Sequence, residues 1–223
     1  MQDVAWIGFG IFWMFLGVEP VSRVDWVLEN VLLVLFVAAF LSSYRQVSWT
    51  TASFVAVLAL VFLHVIGAHF TYSLVPYDEL FESSFGVGMN QLFGWQRNQF
   101  DRLVHFAYGL LFSIPLHERL SRARYRSVGT AVVMLVMSSS LAYELIEWGA
   151  VLVLASDEGM AFLGAQGDPW DAHKDMFLAM LGSVVTVTAL WLRMDPLETR
   201  WRRKPAVGLV RSSRQGRILN RSA

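Results

Sequence analysis

"VGTAVVMLVMSSSLAYELIEWGAVLVL", residues 128–154, decides how the chain folds. The run holds no Lys or Arg and exceeds the roughly 20 apolar residues that a helix needs to cross a bilayer. Its apolar residues form a block rather than a stripe at amphipathic spacing. Five further blocks can be marked, at about Val4–Val18, Val24–Leu41, Thr51–Ala68, Asp101–Leu116 and Lys174–Leu192, the first and fourth of all six being short for a span. With 55 % hydrophobic residues in 223 and a mean hydropathy of +0.46, the chain reads as all-α, a polytopic membrane helix bundle of about six transmembrane helices. Cysteine is absent, which excludes disulfides, thiolate metal sites and a cysteine nucleophile. Only Gln2 and Asp3 follow Met1 before the first block, so a cleaved signal peptide is not expected.

Charge sets the orientation. The net charge is zero, yet residues 193–223 hold nine Lys/Arg against two Asp/Glu, leaving the tail at +7 and the remainder at −7. The expected division is a transmembrane helical domain, 1–192, and a basic cytoplasmic tail, 193–223, without apolar periodicity and expected to be disordered. The bilayer is the partner of the first, anionic lipid head groups that of the second, and nucleic acid is not expected. With the tail inside, six spans place the N-terminus, Arg45, Arg119, Arg122, Arg124 and Arg126 on the same side, which then collects fourteen of the eighteen basic residues. This is an N-in, C-in topology in a bacterial inner membrane. Most of the nine Trp fall near span ends, where interfacial anchoring accounts for them.

The polar residues gather on the outer side. Asp101 and His105 are four apart and share a helix face, with Arg97 four residues earlier. Glu144 and Glu147 are three apart; at 1.5 Å per residue they lie roughly 15 and 10 Å from the outer end at Leu154. "QGDPWDAHKDMF", 166–177, adds Asp168, Asp171 and Asp175, and His64 and His69 close the third block. Singly, most of these have ordinary readings. An Asp or His at a span end caps or anchors a helix, Asp168-Pro169 has turn chemistry, and Ser138, Ser139 and Ser140 pack or bond back to the helix. Two glutamates in one apolar helix are harder to dismiss, because an uncompensated charge there costs at least about 2.5–3.5 kcal/mol.

Four stretches, "HVIGAHFTYSLVPY" (64–77), "RNQFDRLVHFAYGLL" (97–111), "AYELIEW" (142–148) and "QGDPWDAHKDM" (166–176), resemble the signatures of the YjdF-type family of uncharacterised bacterial inner-membrane proteins. The resemblance runs from the second helix through the sixth and implies fold and location but no activity. A fainter similarity is to VanZ-like membrane proteins, in the order of Asp101, Arg102, His105, Glu144, Asp175 and Gly182, with Arg where that family has Lys.

Hard oxygen ligands with an imidazole make Asp101, His105, Glu144, Glu147, Asp171 and Asp175 candidate ligands of a divalent metal ion: Mg²⁺, Mn²⁺, Ca²⁺ or, with further His, Zn²⁺. Arg97, His64, His69, Glu144 and Asp168 complete a polar pocket, and Glu147 and His105 are the candidate bases if the protein is an enzyme, which the residues do not decide. The first functional expectation is an outward-facing site of this kind acting on a lipid or lipid-linked substrate. A proton- or cation-coupled transporter is the second, weakened by dry inner halves and the lack of an inverted repeat. A non-catalytic structural or partner-binding membrane protein is the third, although interhelical hydrogen bonds worth about 0.6 kcal/mol each make seven ionisable residues a costly brace. No Gly-x-Ser-x-Gly elbow supports a serine nucleophile. The stretch "FESSFGVGMNQLFGW" (81–95) is mildly amphipathic and is expected to lie on the membrane as a lid over a pocket between the third to sixth spans.

Overall fold

The computed structural model describes residues 2–44, 49–125, 127–154 and 166–193. Arg45, Arg126, most of the loop after Leu154 and the basic tail beyond Arg193 lie outside the described residues. Every regular element among the described residues is a helix: α1 (Gln2–Leu16), α2 (Arg23–Tyr44), α3 (Thr51–His69), α4 (Tyr77–Phe85), α5 (Met89–Phe93), α6 (Phe100–Arg122), α7 (Val128–Leu154) and α8 (Asp171–Arg193). The six apolar blocks fall on α1, α2, α3, α6, α7 and α8. Helix α6 runs past Leu116 to Arg122 because the charged "HERLSR" that ends the apolar block suits a helix well.

Among the described residues, four helical segments are long and apolar enough to cross a bilayer: Arg23–Ser43, Thr51–His69, Val128–Val153 and Asp171–Arg193. Helix α1 is apolar but only 15 residues long. Helix α6 has the length, at 23 residues, but carries Asp101, Arg102, His105 and Glu118. Large apolar side chains are bare on the outer faces, among them Ile7, Leu35, Leu145, Val153 and Trp191. Hydrocarbon accepts such a surface where water would penalise it, and a helix satisfies its own backbone there.

Two packing centres hold the described bundle. Phe9 and Leu16 of α1, Leu33 and Phe40 of α2, and Val57, Val61 and Val65 of α3 form one; Tyr72, Val75, Phe100 and Val104 form the other, beside the start of α6. At the far end of α3, Glu118 of α6 accepts from the Thr50 N–H at 3.0 Å, from the Thr50 hydroxyl at 2.8 Å and from the Ser53 hydroxyl, and is paired with Arg122 at 2.5 Å. The carboxylate thereby satisfies orphan groups at the α3 N-terminus.

Helices α6 and α8 run in the same direction and nearly touch backbones. A Cβ on Gly109 would overlap the Ala179 carbonyl, and one on Gly182 would overlap that of Phe106. Small polar residues continue the seam: Ser113 Oγ donates to Ser183 Oγ at 2.8 Å, and Thr186 Oγ1 to the Leu110 carbonyl at 2.6 Å. Small residues are how helices gain packing contact in hydrocarbon, where no hydrophobic effect drives them together. Gly109→Leu or Gly182→Leu is therefore expected to destabilise the protein by about 1–3 kcal/mol through overpacking. Gly149→Leu, where an added Cβ meets open space, serves as the control. Thermal unfolding in detergent reads the difference; equal midpoints for all three variants would refute the close seam.

Candidate functional site

Beyond that seam the first turns of α6 and α8 lie side by side, and the start of α2 and the ends of α3 and α7 meet them there. All the site residues belong to the compact unit that ends at Ala189.

The outermost layer is ionic. Arg97, just before α6, makes two bonds to Asp171 at the head of α8, one of them at 3.3 Å. Arg102 reaches Asp168 at 2.5 Å and Asp171 at 3.2 Å, and Lys174 binds Asp168 at 2.5 Å. Hydrogen bonds from Lys174, the Trp170 N–H and Arg102 hold the Asp168 carboxyl down to about 2. Asp171 is buried and each of its oxygens accepts from an arginine.

One turn further in lies a different kind of cluster. Asp101, His105 and Asp175 each present one donor atom within 4.8 Å of the other two. His105 Nε2 stands 3.6 Å from Asp101 Oδ1 and 3.9 Å from Glu144 Oε1, too far for hydrogen bonds. Asp175 is 2 % exposed and Glu144 8 %, yet Asp175 Oδ1 and Glu144 Oε1 have no hydrogen-bond partner. Glu147 hydrogen-bonds to Glu144.

On the opposite wall, His64 Nδ1 bonds the Tyr72 hydroxyl at 2.7 Å, while its Nε2 lies 3.3 Å from the Glu29 carbonyl and 3.9 Å from Glu29 Oε2. Tyr143 donates to that same carboxylate oxygen at 2.6 Å. The placement of Tyr72 is local. Thr71 and Tyr72 both take left-handed φ, 53° and 54°, folding the chain back so that the Tyr72 ring lies where any Cβ on Gly67 would stand. Such a turn strains residues other than glycine and needs its surroundings to hold it.

Between the walls is a cavity of about 300 Å³. Asp101, His105, His64, Tyr72 and Tyr143 line its polar end; Leu33, Phe36, Leu60, Val61, Tyr108 and Ser140 line the remainder.

The expected site residues therefore separate. Asp101, His105, Asp175, Glu144 and Glu147 come together. Asp171, expected as a ligand, has its oxygens occupied by Arg97 and Arg102, and Asp168 with Arg97 belongs to that ionic rim. His64 faces the cavity. His69 does not: its Nδ1 bonds the Leu16 carbonyl at 2.7 Å, and its own carbonyl accepts from Val21 N–H at 3.0 Å, so it ties the α1–α2 turn to α3. The pocket walls also include α2, which the sequence reading omitted. Glu29, Tyr72 and Tyr143 were missed; for Glu29 a signal existed, since Asp25 and Glu29 are four apart in a largely apolar helix, the same spacing as Asp101 and His105. Ser138 and Ser139 bond back to Met134 and Leu135, as such residues ordinarily do.

These features define a helical membrane protein with a carboxylate and histidine cluster buried at one end of its helices. More particularly, the chain belongs to the family described as predicted membrane protein DUF2238, whose model matches residues 1–196. It is 32 % identical over 185 residues to the inner membrane protein YjdF of Escherichia coli (strain K12), a match covering 79 % of this chain and 82 % of that protein. No solved structure matches the chain. Family and relative together make it an inner-membrane protein, in agreement with its apolar helices.

The ionic rim is testable. Removing one side of a buried pair strands the other, at about 3–5 kcal/mol, so Asp171→Asn is expected to lower the unfolding midpoint strongly, whereas Lys174→Ala, at an exposed side chain, costs at most about 1 kcal/mol. For Asp168 the folded value is depressed, so its contribution is complete above the ordinary carboxylate range near about 3.9 and disappears as the pH falls through about 2. Midpoints measured from pH 7 to 5 should show no loss from this group; a loss in that window that Asp168→Asn abolishes would contradict the assignment.

Proposed function

We propose that the protein binds a divalent cation through Asp101, His105 and Asp175, with Glu144 beside them, and that this site faces the outer leaflet and acts on a lipid or lipid-linked substrate. The observation that carries the reading is two buried carboxylate oxygens without partners, Asp175 Oδ1 and Glu144 Oε1, at a cluster whose donor atoms lie within 4.8 Å of each other. Donors held on one ion at about 2.0–2.2 Å stand at most about 4.4 Å apart, and a small side-chain adjustment brings donors that lie within 4.8 Å of one another to that spacing. Without an ion, four acidic or imidazole groups would be desolvated with almost nothing to bond. Oxygen donors with one imidazole suit Mn²⁺ or Mg²⁺, and Zn²⁺ with a three-ligand open site.

The orientation belongs to the same proposal: six spans, with α1 and α6 as the two that length and apolarity alone do not identify, N-in and C-in, and 193–223 as a basic cytoplasmic tail against anionic lipid. A transporter reading fits less well, because the described polar cluster stops about two turns into the helices, whereas coupling across a membrane needs groups on both sides of its midplane.

Mn²⁺ titration of the purified protein, followed by the loss of the free-ion EPR signal, tests the site. One equivalent should bind, and Asp175→Asn and His105→Gln should each weaken binding by at least about tenfold, the scale on which even a ligand's hydrogen-bond partners act. Equal binding by all three proteins, or none by the wild type, would sink the proposal.

A further inference from the structure

We infer that the cavity between α2, α3, α6 and α7 is a binding site for one hydrocarbon chain of a lipid with an anionic head, the head lying at the Asp101/His105 end. The inference rests on the proposed cation site only for where the head sits; the chain site stands on the cavity itself.

The lining is ordered by depth. Going inward along α6 the wall passes from Asp101 and His105 to Tyr108; along α3 it passes from His64 to Leu60; along α2 it reaches Leu33 and then Phe36. Asp101 to Tyr108 is seven residues, so the cavity extends about 10 Å along the helices. Its volume of about 300 Å³ lies at the lower bound of ligand pockets, enough for a length of one chain and too little for two. The polar groups stand at one end and the apolar wall continues towards the helix middle, the arrangement of a lipid lying with its chain along the bilayer normal.

An entrance exists that water-soluble ligands would have no reason to use. Ser139, Ala142 and Ile146 line the cavity and are at the same time exposed on α7. The opening is therefore sideways, between α2 and α7, and the surface around it is apolar, with Leu35 62 % and Leu145 54 % exposed. That surface faces hydrocarbon in a membrane, so the molecules that meet the opening are lipid chains.

The head is assigned from charge. Just beyond the cavity's polar end, outside its lining, three cations, Arg97, Arg102 and Lys174, face two carboxylates, Asp168 and Asp171. Arg102 Nε is buried and its N–H lacks an acceptor. A phosphate or carboxylate at this level accepts from that donor, and the proposed cation offsets the carboxylates beside it.

The Mn²⁺-loaded full-length protein in phosphatidylcholine nanodiscs provides the test. Three single-chain probes share one alkyl chain bearing a diazirine at its middle and end in phosphate, carboxylate or alcohol. After photolysis, peptide mass spectrometry should find labels concentrated at Leu33, Phe36, Leu60 and Tyr108, several-fold higher for the two anionic probes than for the alcohol, their ratio identifying which anion is preferred. Ser140→Trp, or Ala142→Phe where the larger residue impairs folding, should reduce cavity labelling to background while Mn²⁺ binding persists. Labels confined to outward residues such as Leu35 and Leu145, or unchanged by both filling variants, would overturn the chain site; equal labelling by the alcohol would overturn the anionic head. Loss of Mn²⁺ binding in Asp175→Asn with labelling retained supports two adjoining sites. A wild type that binds no Mn²⁺ yet loses labelling on filling supports the chain site and overturns the cation site together with the head's place beside it.

Discussion

The near contact of α6 and α8 backbones at Gly109 and Gly182 is the constraint on which the polar cluster depends. Asp175 lies seven residues before Gly182, and His105 four before Gly109, so the distance between their carboxyl and imidazole groups is set by how closely the helices approach two turns or less away. Side chains at those glycines would spread the helices, and the three donor atoms could no longer lie within 4.8 Å. The Ser113–Ser183 and Thr186–Leu110 bonds fix the register along the same seam, so that Asp101 meets Asp175 rather than a neighbour one turn away. Packing deep in the bundle thus determines chemistry at its end.

The ionisable groups above that seam obey two different rules. At the rim, opposite charges pair, and the arginine forks and carboxylates order the approach to α8. One turn inward the residues are acids and an imidazole with few mutual hydrogen bonds, an arrangement that a structural network would avoid because a partly satisfied buried network is worse than an apolar one. The contrast in composition over a single turn separates a brace from a candidate binding site more clearly than burial, since each layer mixes buried and partly exposed residues.

The helices were legible because membrane spans announce themselves by composition. The limits of the 128–154 block and of α7 coincide, while α6 was truncated at Leu116 since charge ends an apolar block without ending a helix. Helices α4 and α5 were hidden inside a loop two of whose glycines are their C-caps, Gly86 and Gly94, with φ of 77° and 67°. In the site, the i,i+4 spacing of Asp101 and His105 and the pairing of Glu144 with Glu147 were readable because helical geometry is local. The diversion of Asp171 to Arg97, 74 residues away, was not. Nor was Tyr72, whose position follows from a left-handed turn against Gly67, nor His69, whose spacing from His64 suggested a shared role that the α1–α2 turn instead claims.

Why the cavity is open sideways follows from the unequal sharing of helix faces. Helices α2 and α7 meet the cavity from opposite sides, and at the polar end the Tyr143 hydroxyl of α7 donates to the Glu29 carboxylate of α2. Below it each helix turns large apolar residues outward, Val34 and Leu35 on one and Met137 and Leu141 on the other. A water-filled gap there would be costly in hydrocarbon, and a collapsed one would bring α7 against Leu33 and Phe36, closing the cavity. The Tyr143–Glu29 bond holds the two helices at one height while apolar surface remains uncovered beneath it, and an apolar chain from the bilayer fills that space without requiring a hydrogen bond. A polar latch above an apolar slot admits a molecule of the same order: polar head at the latch, hydrocarbon below.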